Sequence, residues 1–167
     1  MADKQREDLA GEHPLGDAGQ ILLACLFAVI WIGDTFFSKY TTFLNGYIPF
    51  IARLPLGALL LIVSGYLAKK GLAIVFGERM EKPVVIRKSV FGLVRHPIYL
   101  GEILFFLGFL ILSLSLAALA VWVAAVAFLH FIAKYEEKLL LARFGADYEK
   151  YLREVPRWLP RIWKGNS

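Results

Sequence analysis

The sequence predicts an all-α, polytopic membrane protein with about four transmembrane helices. Three observations lead to this fold class: 58% of the 167 residues are hydrophobic, only 20% are charged, and the apolar residues gather in long runs. Soluble domains are closer to half apolar and a quarter charged, and disordered chains have low hydrophobicity, so the composition argues against both classes. The single cysteine, Cys25, lies inside an apolar run, which excludes an intrachain disulfide and a thiolate zinc site.

Residues 1–17 are predicted to form a polar N-terminal arm. They hold five acidic and two basic residues. A signal peptide would instead start with basic residues that run directly into a short apolar core with a cleavage site. The first apolar run is therefore expected to stay in the mature protein.

Residues 18–70 are predicted to hold two transmembrane helices, at about 18–37 and 48–68. Each is close to the length of about 20 residues that crosses a hydrocarbon core of roughly 30 Å. Asp34, the one charged residue of the first run, falls near its far end. Arg53 lies in the first turns of the second helix, where its long side chain is expected to reach the headgroups.

The last two transmembrane helices are predicted to form a tight hairpin. From Pro97 to Ala133 the only acidic or basic side chain besides His130 is Glu102. One continuous helix over that run would extend about 55 Å at a rise of about 1.5 Å per residue, nearly twice the thickness of the bilayer core. The run must therefore reverse, and the Leu-Ser-Leu-Ser-Leu segment at 112–116 is the predicted turn.

Four crossings place both termini and the middle loop on one side of the membrane. The middle loop and the tail carry 15 of the 19 lysines and arginines. The positive-inside rule assigns this side to the cytoplasm, so the N- and C-termini and a site at this end are predicted to be cytoplasmic. The basic excess is thus a topology signal with some attraction to anionic lipid, and no nucleic-acid partner is expected. The sequence leaves the oligomeric state open.

Residues 71–167 are predicted to form the functional core, because they hold more sequence outside the bilayer than spanning requires. In the loop, the apolar stretch 72–76 is expected to be interfacial or re-entrant. A proline suits the first turn of a helix and disfavours helix at the residue before it. The third transmembrane helix is therefore predicted to begin at Pro97, with His96 at its N-terminal mouth.

The tail is predicted to begin as a continuation of the fourth transmembrane helix. This helix runs past Glu136 and Glu137 and is expected to end at Gly145 as a C-cap. Residues 146–154 then form a short helix, which charge pairs at i,i+4 spacing support and the next proline ends.

The polar residues of these helices have structural explanations as well as functional ones. An ionisable group within a transmembrane helix, here Glu102, usually faces a partner or a polar cavity, but a shallow position that reaches headgroup water also accommodates it. An adjacent acidic pair such as Glu136 and Glu137 is by itself more typical of a solvated helix face. A lone histidine on an apolar face, such as His130, is more typical of a packed interior. The three histidines lack metal-ligand spacing, so no metal site is predicted.

Two motifs flank the hairpin. The first is Arg95-His-Pro-Ile-Tyr99-Leu-Gly-Glu102, and the second is Glu136-Glu137-x6-Phe144-Gly145-x2-Tyr148-x2-Tyr151-x3-Val155-Pro156-Arg157. In this order and spacing they resemble the isoprenylcysteine carboxyl methyltransferase family, which is related to the phospholipid N-methyltransferases. The resemblance covers about residues 84–160.

The resemblance implies an integral-membrane enzyme that takes a methyl group from S-adenosylmethionine. By the family pattern, the loop before the third helix and the helix that leaves the fourth form a cofactor pocket lined by Phe91, His96, Pro97, Ile98, Tyr99 and Glu136. A carboxylate such as Glu136 can pair with the ammonium group of the cofactor, and aromatic rings can stack on adenine or face the sulfonium. The methyl group moves in one in-line displacement, so the protein contributes positioning and water exclusion rather than a nucleophile.

The resemblance also implies a lipidic or amphipathic acceptor that enters sideways from the lipid bilayer, with a carboxylate as the first expectation. A carboxylate is already anionic and requires a cation to orient it, for which Arg95 and Arg143 are candidates. The alternative acceptor, a phospholipid amine, requires a base, and Glu137 and Glu102 are candidates for that role. Four residues before the first paired glutamate, where the family has a substrate-binding arginine, this chain has Ile132.

A third interpretation keeps the fold without catalysis, as a channel-like or scaffolding membrane module. A conduction path requires polar residues along several transmembrane helices, whereas here they gather at one mouth of the helices. The methyltransferase interpretation is therefore favoured.

Overall fold

The computed structural model describes residues 16–77 and 84–160. Within these ranges the chain is helical and contains no strand, which confirms the predicted fold class. The described part of the chain forms five α-helices: α1 Gly16–Ile32, α2 Phe50–Gly77, α3 Pro97–Ser113, α4 Leu116–Phe144 and α5 Ala146–Glu154. A π-helical turn, Gly33–Ser38, extends α1, and 3₁₀ turns lie at Phe43–Gly46 and Ser89–Gly92.

Three helices of the described chain are long and apolar enough to cross a membrane: α1 with its extension to Ser38, α2, and α4. The apolar helix α3 has 17 residues. At a rise of about 1.5 Å per residue it extends about 26 Å, which is at the lower limit for a crossing. The protein is therefore membrane-integrated. Among the four apolar helices of the described residues, α3 is the shortest once the extension of α1 to Ser38 is counted.

The helix boundaries differ from the prediction at two places. The predicted N-terminal arm lies outside the described residues except for Gly16 and Asp17, which already belong to α1. The second helix continues to Gly77, so its predicted end at about 68 is wrong and the stretch at 72–76 forms its last turns rather than a separate re-entrant segment. Lys69 and Lys70 do not end this helix, because lysine is a good helix former and both side chains are exposed.

A seam of small residues joins α2 to α3. Gly57, Ser64 and Gly71 recur every seven residues on α2 and are all buried. A Cβ atom at Gly57 would lie 2.6 Å from the Leu112 side chain, and one at Gly71 would lie 2.7 Å from Ile98. The Ser64 hydroxyl lies between them and donates a 2.7 Å hydrogen bond to a backbone carbonyl of α3. Small residues allow two helix backbones to approach closely, which is a main source of helix association in lipid.

The helix α1 packs on the other side of the hairpin, mainly against α4. Its Phe27 ring stacks on Phe106 of α3 with ring centroids 4.5 Å apart. Around this pair lies a buried cluster of residues from the hairpin: Leu110, Ala118, Val121 and Ala125. The hairpin thus occupies the centre of the bundle, with α1 and α2 on its flanks.

The reversal between α3 and α4 confirms the turn predicted at 112–116. Leu114 adopts a left-handed conformation with φ 51°, which ends α3. Ser115 is the N-cap of α4, and its hydroxyl accepts a 3.1 Å hydrogen bond from the backbone N–H of Ala118. A serine in this place satisfies a backbone donor that the helix itself leaves without a partner.

A hairpin cluster of polar residues surrounds this turn and comprises Asp34, Thr41, Asn45, Arg53 and Ser115, of which Asp34, Arg53 and Ser115 are buried and Asn45 is exposed. The Asp34 carboxylate accepts hydrogen bonds from both the hydroxyl and the backbone N–H of Thr41, and from the Ser115 hydroxyl. The acid therefore lies at the N-terminus of α4, where the helix dipole favours negative charge.

Arg53 completes the hairpin cluster, and the expectation that its side chain reaches the headgroups is wrong. The residue is only 8% exposed. Its guanidinium donates to the Asn45 side-chain oxygen and, over 2.7 Å, to the carbonyl of Leu112. The last turn of α3 leaves carbonyl groups without helical partners, so a cation is stabilised there.

Beyond α4 the chain turns back on itself, and this turn builds the opposite end of the bundle. Gly145, with φ 53°, ends α4 as predicted and leads directly into α5. Tyr148, Tyr151 and Val155 then pack in a small core against the end of α4 and the segment before α3.

Candidate functional site

Six residues converge where α3 begins and α4 ends. This mouth cluster lies at the end of the bundle opposite the hairpin turn, and His96 and Glu137 meet in it across 41 residues of sequence. Its members come from three parts of the chain: Arg95, His96 and Tyr99 around the start of α3, Glu136 and Glu137 on α4, and Arg157 after α5. The predicted convergence of the histidine with the acidic pair is confirmed.

His96 is the centre of the mouth cluster. It immediately precedes Pro97, the first residue of α3, and its imidazole makes no capping bond to that helix. Instead Nε2 lies 3.1 Å from Glu137 Oε1, and Nδ1 lies 3.7 Å from Glu136 Oε2. Burial is the largest influence on His96 and lowers its pKa; Glu137 opposes that effect, and the neighbouring guanidinium groups reinforce it.

Glu137 holds two guanidinium groups. Arg157 donates to both carboxylate oxygens, with its Nε 2.9 Å from Oε1. Arg95 Nε lies 3.0 Å from the same Oε1. Such a forked arrangement fixes the direction of the carboxylate as well as its charge. The ion pair also raises the pKa of Arg157, so its guanidinium keeps its charge.

Glu136 faces the aromatic side of the mouth cluster. It accepts a hydrogen bond from the Tyr99 hydroxyl. The Tyr99 ring lies parallel to the His96 imidazole, with 5.5 Å between ring centroids. The centroid of a third ring, Trp158, lies 5.9 Å from the centroid of the His96 imidazole. The Trp158 indole N–H donates a 3.2 Å hydrogen bond to His130 Nδ1.

The C-terminal strap, residues 155–158, fastens this arrangement. The backbone N–H of Arg95 donates to the carbonyl of Pro156 over 3.0 Å, and the Arg95 guanidinium donates to the carbonyl of Leu152. Tyr151 donates to the carbonyl of Phe91 over 2.7 Å. Burial raises the pKa of Tyr151, so its phenol keeps the proton that it donates. The strap and α5 together hold the segment that presents His96.

The remaining predicted site residues lie around the mouth cluster. Pro97 and Ile98 are directed towards Gly71 of α2, and Phe91 lies half-buried in the 3₁₀ turn before α3. Glu102 lies one turn further along α3 than Tyr99; it is half-buried and has no hydrogen bond or ion pair to a residue that the structure describes.

Arg143 and His130 lie on the outside of α4. Arg143 is exposed, and its guanidinium lies 5.5 Å from the centroid of the Phe144 ring. His130 is also exposed, so its expected position in a packed interior is wrong. It lies beside Trp158 of the strap, a neighbour that the local sequence does not reveal.

Sequence reasoning missed Arg157 and Trp158 as members of the site. Arg157 is the last residue of the second motif. Its distance in sequence from Glu137, which lies 20 residues earlier, does not predict that the two side chains meet. The one available signal was the position of an arginine and a tryptophan directly after a helix-ending Val-Pro pair, which brings them back towards α4.

A bundle of apolar helices with a buried imidazole, carboxylates and guanidinium groups at one end defines a membrane protein with a polar site at its mouth. The chain belongs to the phospholipid methyltransferase family, whose sequence profile matches residues 52–147. The matched range contains the hairpin, His96 and both paired glutamates, and it ends before the strap. The family resemblance that the two motifs indicate is thereby confirmed.

Two curated relatives are similar to the chain. The methanethiol S-methyltransferase 2 of Bradyrhizobium diazoefficiens is 34% identical over 87 residues, which are 52% of this chain and 31% of that protein. The methanethiol S-methyltransferase of Crocosphaera subtropica is 31% identical over 130 residues, 72% of this chain and 50% of that protein. The chain therefore spans half or less of the length of these relatives. No solved structure matches the chain.

Proposed function

We propose that this protein is an integral-membrane methyltransferase that uses S-adenosylmethionine and methylates a small apolar or amphipathic acceptor taken from the bilayer. The observation that carries the proposal is the convergence of His96 and Tyr99 with Glu136 and Glu137 in a chain of this family. A merely structural bundle has no need for an imidazole buried between two carboxylates, because burying charged groups is costly.

The residue types of the mouth cluster suit the methyl donor. Glu136 supplies a carboxylate for the ammonium group, and the rings of Tyr99, His96 and Trp158 suit the flat adenine and the sulfonium cation. Phe91, Pro97 and Ile98 frame the segment that presents these rings, and we include them in the donor site. When bound, the donor supplies a methyl group on a positively charged sulfur, so the protein needs to orient the two reactants and exclude water.

The surroundings of Arg95 favour an acceptor other than the carboxylate first expected. The guanidinium of Arg95 is engaged by Glu137 and the carbonyl of Leu152, which leaves it poorly suited to orient a substrate carboxylate. Ile132, at the position of the family's substrate arginine, is 1% exposed and apolar. Arg143 is the remaining candidate cation, and it is exposed outside the mouth cluster. An apolar thiol needs no such cation, and both curated relatives carry the name of a thiol methyltransferase. We therefore propose a small thiol as the acceptor.

A phospholipid amine is the second candidate acceptor, because the matching family is that of the phospholipid methyltransferases. Glu102 favours this alternative: its carboxyl lies half-buried on a transmembrane helix near the mouth, where it suits an ammonium headgroup.

Donor binding tests the methyltransferase proposal. Calorimetry with S-adenosylhomocysteine in detergent is expected to show binding by the wild type, and a loss of at least about ten-fold in affinity for Glu136→Gln, because one charged hydrogen bond contributes roughly 1.5–3 kcal/mol. Lys150→Gln, an exposed change on α5, is the matched control. A wild type that binds neither the donor nor its demethylated product would end the enzyme proposal.

The labelled product identifies the acceptor. With a radiolabelled methyl donor, a thiol acceptor yields a volatile thioether, a phospholipid amine yields a base-stable label that extracts with lipid, and a carboxylate yields a base-labile ester. A volatile product from ethanethiol is the expected result. If phosphatidylethanolamine alone became labelled, the thiol acceptor would be wrong and the phospholipid amine would be the acceptor.

We also propose that the mouth cluster faces the cytoplasm, which the distribution of lysine and arginine supports. Because Cys25 is the one cysteine, a Cys25→Ser background allows single-cysteine labelling with a membrane-impermeant maleimide. In intact cells, Asn45→Cys should be labelled and Lys150→Cys protected. The reverse pattern would invert the orientation without affecting the catalytic proposal.

A further inference from the structure

We propose that His96 is the proton acceptor of the reaction, that its Nδ1 takes the proton of the acceptor thiol, and that Glu137 is a positioning residue held by Arg95 and Arg157. The inference rests on the proposed methyltransferase function and deepens it, because it requires an acceptor with a removable proton. For an amine acceptor, the sequence makes Glu137 and Glu102 the candidates for such a role.

The hydrogen-bond partners of Glu137 determine which nitrogen of His96 carries the proton. A carboxylate that holds two guanidinium groups is ionised and can only accept hydrogen bonds. The nitrogen that approaches it to 3.1 Å, Nε2, must therefore be the donor. In the neutral imidazole the lone pair is then on Nδ1. No residue that the structure describes makes a hydrogen bond to Nδ1.

The surroundings of Nδ1 suit the protonated form of His96. Glu136 Oε2 lies 3.7 Å away, too far for a hydrogen bond to the neutral ring but close enough to attract a proton placed on Nδ1. The imidazolium would then face Glu137 at one nitrogen and Glu136 at the other. Stabilisation of the conjugate acid at a fixed geometry is what a general base requires.

The charges around His96 keep the ring neutral before the reaction. The loop before α3 contributes Arg95, α3 the Tyr99 phenol, α4 the two glutamates, and the strap Arg157. Two cations thus balance two anions, and burial then disfavours the imidazolium, which lowers the pKa. A base that is neutral near pH 7 is available to accept a proton.

The two carboxylates predicted as bases are less suitable. Glu137 is neutralised by two guanidinium groups, so its affinity for a proton is reduced. Glu102 lies on α3, one turn beyond Tyr99 towards the bilayer interior, and makes no contact with the mouth cluster through the described hydrogen bonds.

The proposed step balances as follows. The thiol proton moves to His96 Nδ1 while the acceptor sulfur uses its freed electron pair to form a bond to the methyl carbon. The bond between that carbon and the donor sulfonium breaks, and its electron pair stays on the donor sulfur, which becomes a neutral thioether. His96 afterwards releases its proton to water.

Two acceptors of different acidity test the role of His96. Ethanethiol is a neutral thiol near pH 7, whereas 4-nitrothiophenol is already a thiolate and needs no base. His96→Gln is expected to lower kcat for ethanethiol about 100-fold, the usual contribution of a general base, and to change kcat for 4-nitrothiophenol less than about three-fold. Because His96 also lines the proposed donor site, both rates are compared at saturating S-adenosylmethionine, and calorimetry with S-adenosylhomocysteine on the same samples measures any change in donor affinity separately.

The outcomes are distinguishable. An equal loss for both acceptors would overturn the base role and leave the methyltransferase proposal intact. A wild type that methylates no acceptor and binds no S-adenosylhomocysteine would refute the methyltransferase proposal itself.

Arg157→Gln provides a second test that does not remove the imidazole. Loss of this cation raises the pKa of His96, so the acidic limb of the pH profile of kcat/KM for ethanethiol should move to higher pH. Arg153→Gln, which breaks an exposed pair with Glu149, is the matched control and should leave the limb in place. An unshifted limb in Arg157→Gln would overturn the proposed arrangement.

Nitrogen-15 NMR of histidine-labelled protein gives a readout without turnover. The His96 signals, assigned by their loss in His96→Gln, should be those of a neutral ring protonated on Nε2 at pH 7. A ring protonated on Nδ1, or a charged ring, would contradict the proposal.

Discussion

Buried charges occur at both ends of the bundle, and the two groups differ in the partners that surround each charge. In the hairpin cluster, Asp34 and Arg53 are bound by hydroxyls, backbone groups and an amide oxygen, which do not titrate near neutral pH. In the mouth cluster, an imidazole lies between two carboxylates, and two guanidinium groups hold one of them, Glu137, in place. A buried charge alone therefore does not indicate a catalytic site. A buried titratable group whose partners also titrate is the stronger indication of one.

The comparison also separates the energetic roles of the two ends. The hairpin cluster places an anion at the start of α4 and a cation at the end of α3, so it stabilises the turn through both helix dipoles. The mouth cluster balances its charges around a ring whose protonation can change. Substitutions in the hairpin cluster should consequently affect stability first, and those in the mouth cluster activity first.

The largest effect is expected for Glu137→Gln in the mouth cluster. The amide keeps the size of the side chain but lacks the charge that holds Arg157 and directs the Nε2 proton of His96. Methylation of ethanethiol should fall by a factor of up to about 10², the loss expected for His96→Gln itself. Glu149→Gln, at an exposed pair on α5, is the control. A loss of activity below about five-fold in Glu137→Gln would contradict the proposed functional difference between the mouth cluster and the hairpin cluster.

Asp34→Asn in the hairpin cluster should have the opposite profile. The neutral amide cannot accept from all the donors that now face the carboxylate, so the free energy of unfolding should fall by about 2–4 kcal/mol. Unfolding in mixed micelles measures this, with Asp17→Asn at the exposed start of α1 as control. The kcat of the folded fraction should stay within about two-fold, and a large loss of kcat would show that the hairpin cluster takes part in catalysis.

Ser115→Ala should have a smaller effect on stability, about 1 kcal/mol, because it removes an N-cap from α4. The Ser115 hydroxyl also donates to Asp34, so the two substitutions should not be additive in a double-mutant cycle. Additive effects would mean that the cap and the carboxylate act independently.

The smallest effect is a pH dependence of stability that originates in His96. Its folded pKa lies below the ordinary value of about 6.5, so the ring is neutral in both states above that pH. As the pH falls below 6.5, the unfolded ring binds a proton before the folded one does, and stability decreases until the pH passes the folded pKa. Thermal unfolding midpoints from pH 8 to 5 should show a shallower decline in His96→Gln than in the wild type, and equal declines would contradict the assignment.

Features that depend on neighbouring residues in sequence could be predicted. The start of α3 at Pro97, the cap at Gly145 and the reversal at 112–116 follow from local backbone chemistry and from the length of a bilayer crossing. The convergence of His96 with the acidic pair also follows, because a hairpin brings the start of one helix next to the end of the other.

Features that depend on a distant partner could not be predicted. The local sequence of Arg53 shows only a cation near a helix end and therefore predicts a side chain at the headgroups, whereas the carbonyl that it binds lies 59 residues later. Asp34 and Ser115 are 81 residues apart, and neither has a spacing that indicates the other. Arg157 reaches Glu137 only because the chain reverses after α5.

The position of the strap in the chain has a consequence for biosynthesis. Arg157 and Pro156 follow all four apolar helices, yet they hold the carboxylate and the backbone that orient His96. A ribosome-bound chain with every transmembrane helix already inserted would still lack a complete mouth cluster. The bundle should therefore become competent only when its last described segment has emerged, after the bilayer has accepted the rest.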